Sequence, residues 1–353
     1  MDPSQRELLL RAIAEATGGE DAVDVTPDLP EKRYRVERVT QAAVRPLSPA
    51  GAVAGSRIAY VDGGNAELIR APHLSLSLVR TCALSYRCAG KGLAREKSVR
   101  DEFFVLVRAV RSPELRFEAS LFRPGKTETL AFDPADQALL VGRNRAEPSS
   151  IAGVVRRFSE LRLAAETAEA LSAGDAVVLD GTLEAVYPGE SALAEAAAAA
   201  TSSRGVAFAA LAKRCTLLST AGKPLLNEIG RVAGEAQAPW SCGFASGTGQ
   251  EHSATVLAAK FHKRARHVFR IDIHAGASPE QAGRLLSLLA LHSRDATFPG
   301  YPYGLVEADR LARVSNATQQ YHRMLLEGRL GKRWRPLFEA MASMDAHDIL
   351  DSM

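Results

Sequence analysis

Apolar positions spaced three and four apart open the chain: Leu8, Leu9, Ile13 and Ala16 predict a helix over 3–16 that the Gly18-Gly19 pair stops. Residues 21–55, rich in proline and polar side chains, predict an irregular arm leading to the core. From Arg57 the period changes to that of strands: 58–61, then 73–86 with Leu74, Leu76, Leu78 and Val79 partly alternating, then 103–110. Three successive strands joined by turns predict an antiparallel meander, and alternation over 115–132 extends it. Between Tyr86 and Glu102, the residues Arg87, Lys91, Arg95, Lys97 and Arg100 predict a basic loop, either solvated surface or a contact for a phosphate backbone.

The second half alternates helices and strands. Pro148-Ser149-Ser150 is a helix start signal, and Val154, Phe158, Leu161, Ala165 and Ala168 form one apolar stripe, predicting a helix over 151–171 closed at Gly174. A strand over 176–180 and an alanine-rich helix over 190–201 follow. The alanines of 206–211 leave strand and helix both open, and that run ends in the basic pair Lys213-Arg214. Residues 225–249 read as a Gly-rich loop, mobile around Ser246-Gly247-Thr248-Gly249. The runs 256–261 and 268–273 predict a hairpin whose turn carries Lys263, Arg264 and Arg266. Ser278-Pro279-Glu280-Gln281 combines an N-cap, a first-position proline and a capping-box partner, and opens a helix that ends near His292. The stiff aromatic turn Phe298-Pro299-Gly300-Tyr301-Pro302-Tyr303-Gly304 delivers the chain into a helix over 305–327. Trp334, Phe338, Met341, Ile349 and Leu350 mark a packing helix and tail.

Composition narrows the class. With 353 residues and 46% apolar content, the chain has room for one large domain with insertions or for two, and ample core. The 44 basic against 41 acidic residues give a net charge of +3, so a nucleic-acid surface must come from local clustering. Cys82, Cys88, Cys215 and Cys242 lack the paired spacing of a zinc site or a disulfide framework. The first twenty residues carry acids rather than a basic leader, and no apolar run is long enough for a bilayer, so the expected compartment is the cytoplasm and no membrane partner is expected.

Candidate chemistry begins at two strand ends. Arg57-Ile58-Ala59-Tyr60-Val61-Asp62-Gly63-Gly64 and Ala176-Val177-Val178-Leu179-Asp180-Gly181-Thr182 each run from apolar residues into Asp-Gly. That pattern places a carboxylate at the C-terminal edge of a sheet, where open α/β folds keep their ligand sites. The helix over 151–171 adds a third acid. A five-residue strand spans roughly 17 Å, and at about 1.5 Å per helical residue the matching helix position lies near Glu160, with Glu166 disfavoured rather than excluded. Glu160 reads either as a ligand or as half of a surface i,i+4 pair with Arg156. Asp309, early in its helix, reads as a solvated first-turn acid or as a fourth carboxylate needing a compensating cation.

Several of these stretches together resemble the NurA nucleases, a family of archaeal and bacterial DNA-end-processing enzymes. The resemblance runs from about Arg57 to the end of the chain. It rests on Tyr60-Val61-Asp62-Gly63-Gly64, on Arg157-Phe158-Ser159-Glu160-Leu161 leading to Leu179-Asp180-Gly181-Thr182-Leu183, and on Leu211-Ala212-Lys213-Arg214. It continues in Phe269-Arg270-Ile271-Asp272, in Gly300-Tyr301-Pro302-Tyr303 with Glu307-Ala308-Asp309, and in the tail Ala346-His347-Asp348-Ile349-Leu350-Asp351. The resemblance implies an α/β, RNase H-like mixed sheet flanked by helices, with insertions, over 56–353 behind an N-terminal helix and arm over 1–55. It implies a manganese-dependent deoxyribonuclease with two Mn²⁺ ions, Mg²⁺ being the alternative. It further implies a homodimer that works on DNA ends with the HerA hexameric translocase in double-strand-break resection. Asp62, Glu160 and Asp180 match the family's acidic metal ligands, and Asp309 stands where the family often has histidine.

The residue types suit that chemistry, because hard divalent cations take carboxylate oxygens and can both activate water and stabilise a leaving oxygen. On this reading Asp62 bridges two ions, Asp180 and Glu160 complete one, and Asp309 the other. Lys213 and Arg270 are candidate phosphate contacts, with structural salt bridges as the alternative. Tyr301 and Tyr303 either stack on an unpaired base or pack the turn. Two other functions stay open: an actin-like or sugar-kinase-like ATP-binding phosphotransferase, which protection by ATP without DNA cleavage would favour, and a catalytically silent DNA-binding subunit. No strand-Gly-rich-turn-Lys-Ser/Thr order supports a phosphate loop.

Overall fold

The computed structural model describes residues 2–17, 23–47, 53–89, 92–234, 236–247 and 249–342. Helix α1 (Pro3–Thr17) leads to four short strands, β1 (Asp24–Val25), β2 (Tyr34–Val36), β3 (Val39–Thr40) and β4 (Arg45–Pro46). A meander of five strands follows: β5 (Arg57–Ala71), β6 (Leu74–Ala89), β7 (Gly92–Arg111), β8 (Leu115–Arg123) and β9 (Lys126–Phe132). Then come α2 (Ile151–Ala168), β10 (Ala176–Asp180), α3 (Glu190–Ser202), β11 (Ala207–Ala212), α4 (Leu225–Ala233), β12 (Trp240–Gly247), β13 (Ala254–Lys260) and β14 (Phe269–His274). Four helices close the described chain: α5 (Pro279–His292), α6 (Tyr303–Ala312), α7 (Asn316–Leu330) and α8 (Trp334–Ala342).

Nearly all strands share one sheet, ordered β2-β12-β13-β14-β11-β10-β5-β6-β7-β8-β9, with β4 also on β12. β10 runs parallel to both β5 and β11, while the other pairs in that order are antiparallel. This is the mixed sheet flanked by helices that the sequence leads one to expect. β10 sits at its centre with both faces covered, which is why Ala176-Val177-Val178-Leu179 is continuously apolar and buried. On one face α5 and α6 bury Leu288, Leu289, Leu305 and Ala308 against Ile58, Tyr60, Val178 and Leu211. On the other, α2 and α3 cover Val61, Leu179 and Ala210 with Leu161, Ala164 and Ala197.

Local signals explain several boundaries. The Ser278 hydroxyl accepts from the Gln281 N–H at 3.2 Å while the Gln281 side chain accepts from the Ser278 N–H at 2.8 Å, so the predicted capping box forms. The segment 206–211, open between helix and strand, is strand, because it fills the place between β10 and β14.

Elsewhere the structure departs from the sequence reading. The arm is not wholly irregular: β2 and β4 pair with β12, and Val25, Tyr34 and Val39 are buried against Ile229, Trp240 and Phe244. The stretch read as a Gly-rich loop holds α4 and β12, whose apolar residues close that satellite core. The basic loop is ladder: Arg87, Arg95, Lys97 and Arg100 lie on the paired arms of β6 and β7. The single helix over 305–327 is two. Arg313 is extended, its carbonyl accepts from Arg80 Nη1 at 2.6 Å, and Ser315 caps α7 by accepting from the Thr318 N–H at 3.1 Å. Asp62 does not end a strand, since β5 continues to Ala71. Gly18-Gly19, Lys91, Thr248, Ile349, Leu350 and the tail motif 346–351 lie outside the described residues.

Candidate active site

Asp62 and Asp180 are brought side by side by the parallel pairing of β5 with β10, in which Val61 stands opposite Leu179. The next residues of both strands turn their side chains to the α5/α6 face, where α6 adds Asp309. Three carboxylates then surround one ammonium: Lys213 Nζ lies 2.8 Å from Asp180 Oδ2, 2.9 Å from Asp309 Oδ1 and 3.5 Å from Asp62 Oδ2. Lys213 immediately follows β11, so the basic end of the alanine-rich run is what reaches the acids. Gly181, at φ 104°, lets the backbone turn away behind Asp180, and its N–H reaches the Leu211 carbonyl at 3.0 Å.

One ammonium does not satisfy three carboxylates. Asp62 Oδ1 accepts from the Gly63 N–H at 2.7 Å, and Asp309 Oδ2 accepts from Arg313 Nη2 at 2.8 Å. Asp62 Oδ2 and Asp180 Oδ1 are buried with no hydrogen-bond partner. Burial, with Asp180 and Glu160 nearby, pushes the Asp62 carboxyl up to about 7 against the pull of Lys213. Burial also works to raise Asp309, but Lys213 and Arg313 outweigh it and hold that carboxyl below the usual range. For Lys213 burial opposes the charge, and Asp180, Asp62 and Asp309 outweigh it, keeping the amine protonated well above its ordinary value.

Glu160 approaches from the opposite face. It is 4% exposed, its Oε1 accepts from Arg156 Nη1 at 2.9 Å, and Arg157 lies 3.8 Å from its Oε2. The expected Arg156 pair therefore exists, although buried rather than on the surface. Glu160 nonetheless stands close to β5: a Cβ on Gly63 would sit 2.5 Å from Glu160 Oε1. Burial raises the Glu160 carboxyl, Arg156 and Arg157 oppose that, and Asp180 adds to it. Glu166, the disfavoured alternative, is exposed.

The candidate substrate residues divide. Tyr301 is at the site. Its ring packs on Phe269 at 5.3 Å between centroids, and its hydroxyl is buried with no hydrogen-bond partner. Burial, followed by Asp180, Asp62 and Asp309, raises its pKa far above the ordinary phenol value. Tyr303 begins α6 and packs on His292, 6.3 Å between centroids. Arg270 is not brought to the acids. It is 6% exposed and forks onto Asp272, Nε to Oδ1 at 2.8 Å and Nη2 to Oδ2 at 3.0 Å, so its structural alternative is the one realised. The sequence reading missed Arg313, whose i,i+4 spacing from Asp309 was available as a signal, and the network around Asp272, whose members are scattered.

Among the described residues, no three His, Cys, Asp or Glu side chains stand close enough, as placed, to share one metal ion. The donor set nevertheless fits a hard divalent cation. Its carboxylate oxygens surround a positive charge, and two of them are buried without a donor, the condition a cation relieves.

The family model described as NurA domain matches residues 244–314, which run from β12 through α6 and include Asp309. Among solved structures, the NurA nuclease from Sulfolobus solfataricus overlays the chain with a TM-score of 0.50 and 12% identity, covering 94% of this chain and 95% of that one. At that identity the shared property is the fold. Looser overlaps are found with Ciona intestinalis endonuclease V in complex with an inosine-containing DNA (TM-score 0.39, 10% identity, 73% and 85% covered). The Argonaute of A. aeolicus overlaps more loosely still (0.30, 13%, 74% and 28%). Neither bears on the site. No curated protein matches the sequence. No helix among the described residues is long and apolar enough to cross a membrane.

Proposed function

The resemblance to the NurA family holds in a domain match over 244–314 and in a fold shared along nearly the whole chain, and from that premise we propose that the protein is a metal-dependent nuclease hydrolysing phosphodiester bonds at DNA ends. The observation that carries this reading is the convergence of Asp62, Asp180 and Asp309 on Lys213, with two carboxylate oxygens left without donors.

Asp62, Asp180 and Asp309 would hold the cation, and Glu160 would join them on leaving Arg156. A hard divalent ion held by these carboxylates would supply activation of water and stabilisation of the leaving oxygen. The chain's own residues supply the rest. Lys213, exposed on one side and released from the carboxylates, offers a point charge to a phosphate oxygen. Tyr301 offers an O–H that has no acceptor within the protein and stays protonated. The α5/α6 packing holds Asp309 in place while β5 and β10 fix the other two acids.

The finer reading is a Mn²⁺ enzyme with two ions, Mg²⁺ being the alternative, working as a homodimer with a HerA-type translocase in end resection. The NurA resemblance supports each of these.

Linear DNA supplied with Mn²⁺ or Mg²⁺ tests the reading. Cleavage should stop with chelator and fall by ~10³-fold or more in Asp62→Ala and Asp180→Ala, a loss of about 4 kcal/mol of transition-state stabilisation. Circular dichroism should be unchanged in both. Full cleavage by either variant would remove the site assignment.

A further inference from the structure

A cavity of about 260 Å³ opens beside the acids, with Lys213 in its wall. Its other walls are of two kinds. Leu217, Leu226 and Phe269 are flat or apolar, and Asn227 and His267 present an amide and an imidazole. The Phe269 ring packs on Tyr301 at 5.3 Å between centroids, and the Tyr301 hydroxyl is buried without a partner and feels the three aspartates. One aromatic pair therefore joins the cavity wall to the acid cluster, and Lys213 borders both.

Resting on the nuclease reading, we infer that this cavity receives one unpaired nucleobase of the DNA strand being cut, next to the phosphate at the acids. The chemistry of the walls is that of base recognition: an aromatic and apolar surface for the π-face, with an amide and an imidazole at the edge for hydrogen bonds. The volume is large enough for a single base. A base can enter only after leaving its stack, so the cavity makes the enzyme selective for frayed or single-stranded ends. Lys213, between cavity and acids, is placed to contact the phosphate that joins the captured base to its neighbour.

The test is a cleavage profile along single-stranded DNA oligonucleotides, each carrying one abasic nucleotide at a different position. In the wild-type chain, cleavage should dip ~10-fold at one fixed position relative to the abasic site, as expected for loss of one aromatic–base contact. Leu226→Trp, which fills the cavity, and Asn227→Trp, which closes it from an exposed position, should flatten the profile. A second readout needs no chemistry: in chelator, an oligonucleotide containing 2-aminopurine should be quenched on binding the wild-type chain and not on binding either variant. Cleavage with neither a dip nor quenching overturns the pocket and leaves the nuclease standing. Quenching confined to the wild-type chain, with no cleavage under any divalent ion, supports the pocket and removes the nuclease. Displacement of the oligonucleotide by equimolar adenosine monophosphate would overturn the assignment to a base on a strand.

Discussion

Two clusters of buried charge flank β11, and they differ in how their oxygens are satisfied. On the α2/α3 face, Asp272 Oδ2 accepts from Arg270 Nη2 at 3.0 Å and the Leu183 N–H at 3.1 Å, and meets His252 Nε2 at 2.9 Å, while Oδ1 accepts from Arg270 Nε at 2.8 Å. His252 continues to Tyr34 at 3.2 Å, and Tyr34 donates to Glu184. On the α5/α6 face, Asp62 Oδ2 and Asp180 Oδ1 have no hydrogen-bond donor. Burial raises both buried aspartates, but His252 and Arg270 reverse the effect at Asp272 and hold it below the usual range, whereas Asp62 is left at about 7. A buried carboxylate with both oxygens paired has little left for a ligand. One with vacant lone pairs keeps a standing cost that a cation can relieve.

The largest expected effects break the two clusters in different currencies. Asp62→Asn removes a charge that is costly in the folded state, so cleavage should fall by ~10³-fold while stability holds or rises. Asp272→Ala instead leaves Arg270, whose side chain is 7% exposed, with only the Glu184 carboxylate at 3.5 Å, and should cost about 3 kcal/mol in urea unfolding. Replacing both partners, Arg270→Met with Asp272→Leu, should recover most of that loss. A destabilised Asp62→Asn alongside an unaffected Asp272→Ala would reverse the assignment of roles.

A third buried group lies under α6, between these extremes. His292 Nδ1 shares a 2.8 Å hydrogen bond with the Tyr60 hydroxyl and has Tyr86 and Tyr303 around it. Burial lowers its pKa to about 4, against a small opposing pull from Asp295. The unfolded chain takes up that proton near the ordinary value of 6.5, and the folded chain does so only near 4. Stability from neutral His292 is therefore complete above about pH 6.5 and is lost as pH falls toward 4. The amount is on the order of 3 kcal/mol. Asp62, whose carboxyl is held up at about 7, contributes the opposite slope over the same window, so the readout is a difference: the stability of the wild-type chain in urea minus that of His292→Asn should fall as pH drops through it. An equal slope in both would place the titration elsewhere.

What was legible in the sequence follows from range. Signals complete within one segment came through: the strand Ala176–Asp180, the capping box at Ser278 and the aromatic turn into α6. The strand-then-Asp-Gly pattern also singled out Asp62 and Asp180, which the pairing of β5 with β10 brings side by side although β5 runs on past Asp62. What depends on distant partners did not come through. Lys213 stands out in sequence as a candidate phosphate contact, but only the three-dimensional approach of β5, β10 and α6 makes it the centre of three acids. Tyr34, Glu184, His252 and Asp272 each look like ordinary surface polarity until the arm pairs with β12 and closes over them. The length of β5 was hidden because Gly63-Gly64 reads as a turn, when glycine in a strand also marks a close approach of other elements.

That glycine pair gives the smallest and most discriminating test, since the two positions face the two helices that supply the remaining acids. A Cβ at Gly64 would stand 2.5 Å from the Ala312 carbonyl oxygen and 3.0 Å from its carbon, both backbone atoms at the end of α6. Neither can move without shifting the helix that carries Asp309, so Gly64→Ala should cost about 1–3 kcal/mol of stability, as overpacking does. A Cβ at Gly63 meets side chains instead, Glu160 Oε1 at 2.5 Å and Arg156 Cγ at 2.9 Å. The Glu160 carboxylate is a side-chain end that can swing aside, whereas a helix backbone cannot, so Gly63→Ala should cost less than Gly64→Ala. If Glu160 serves the metal, displacing it should lower cleavage several-fold, beyond what the loss of stability explains. Equal loss of stability in the two variants, with cleavage tracking stability alone, would leave Glu160 as the structural partner of Arg156 and confine the site to the three acids around Lys213.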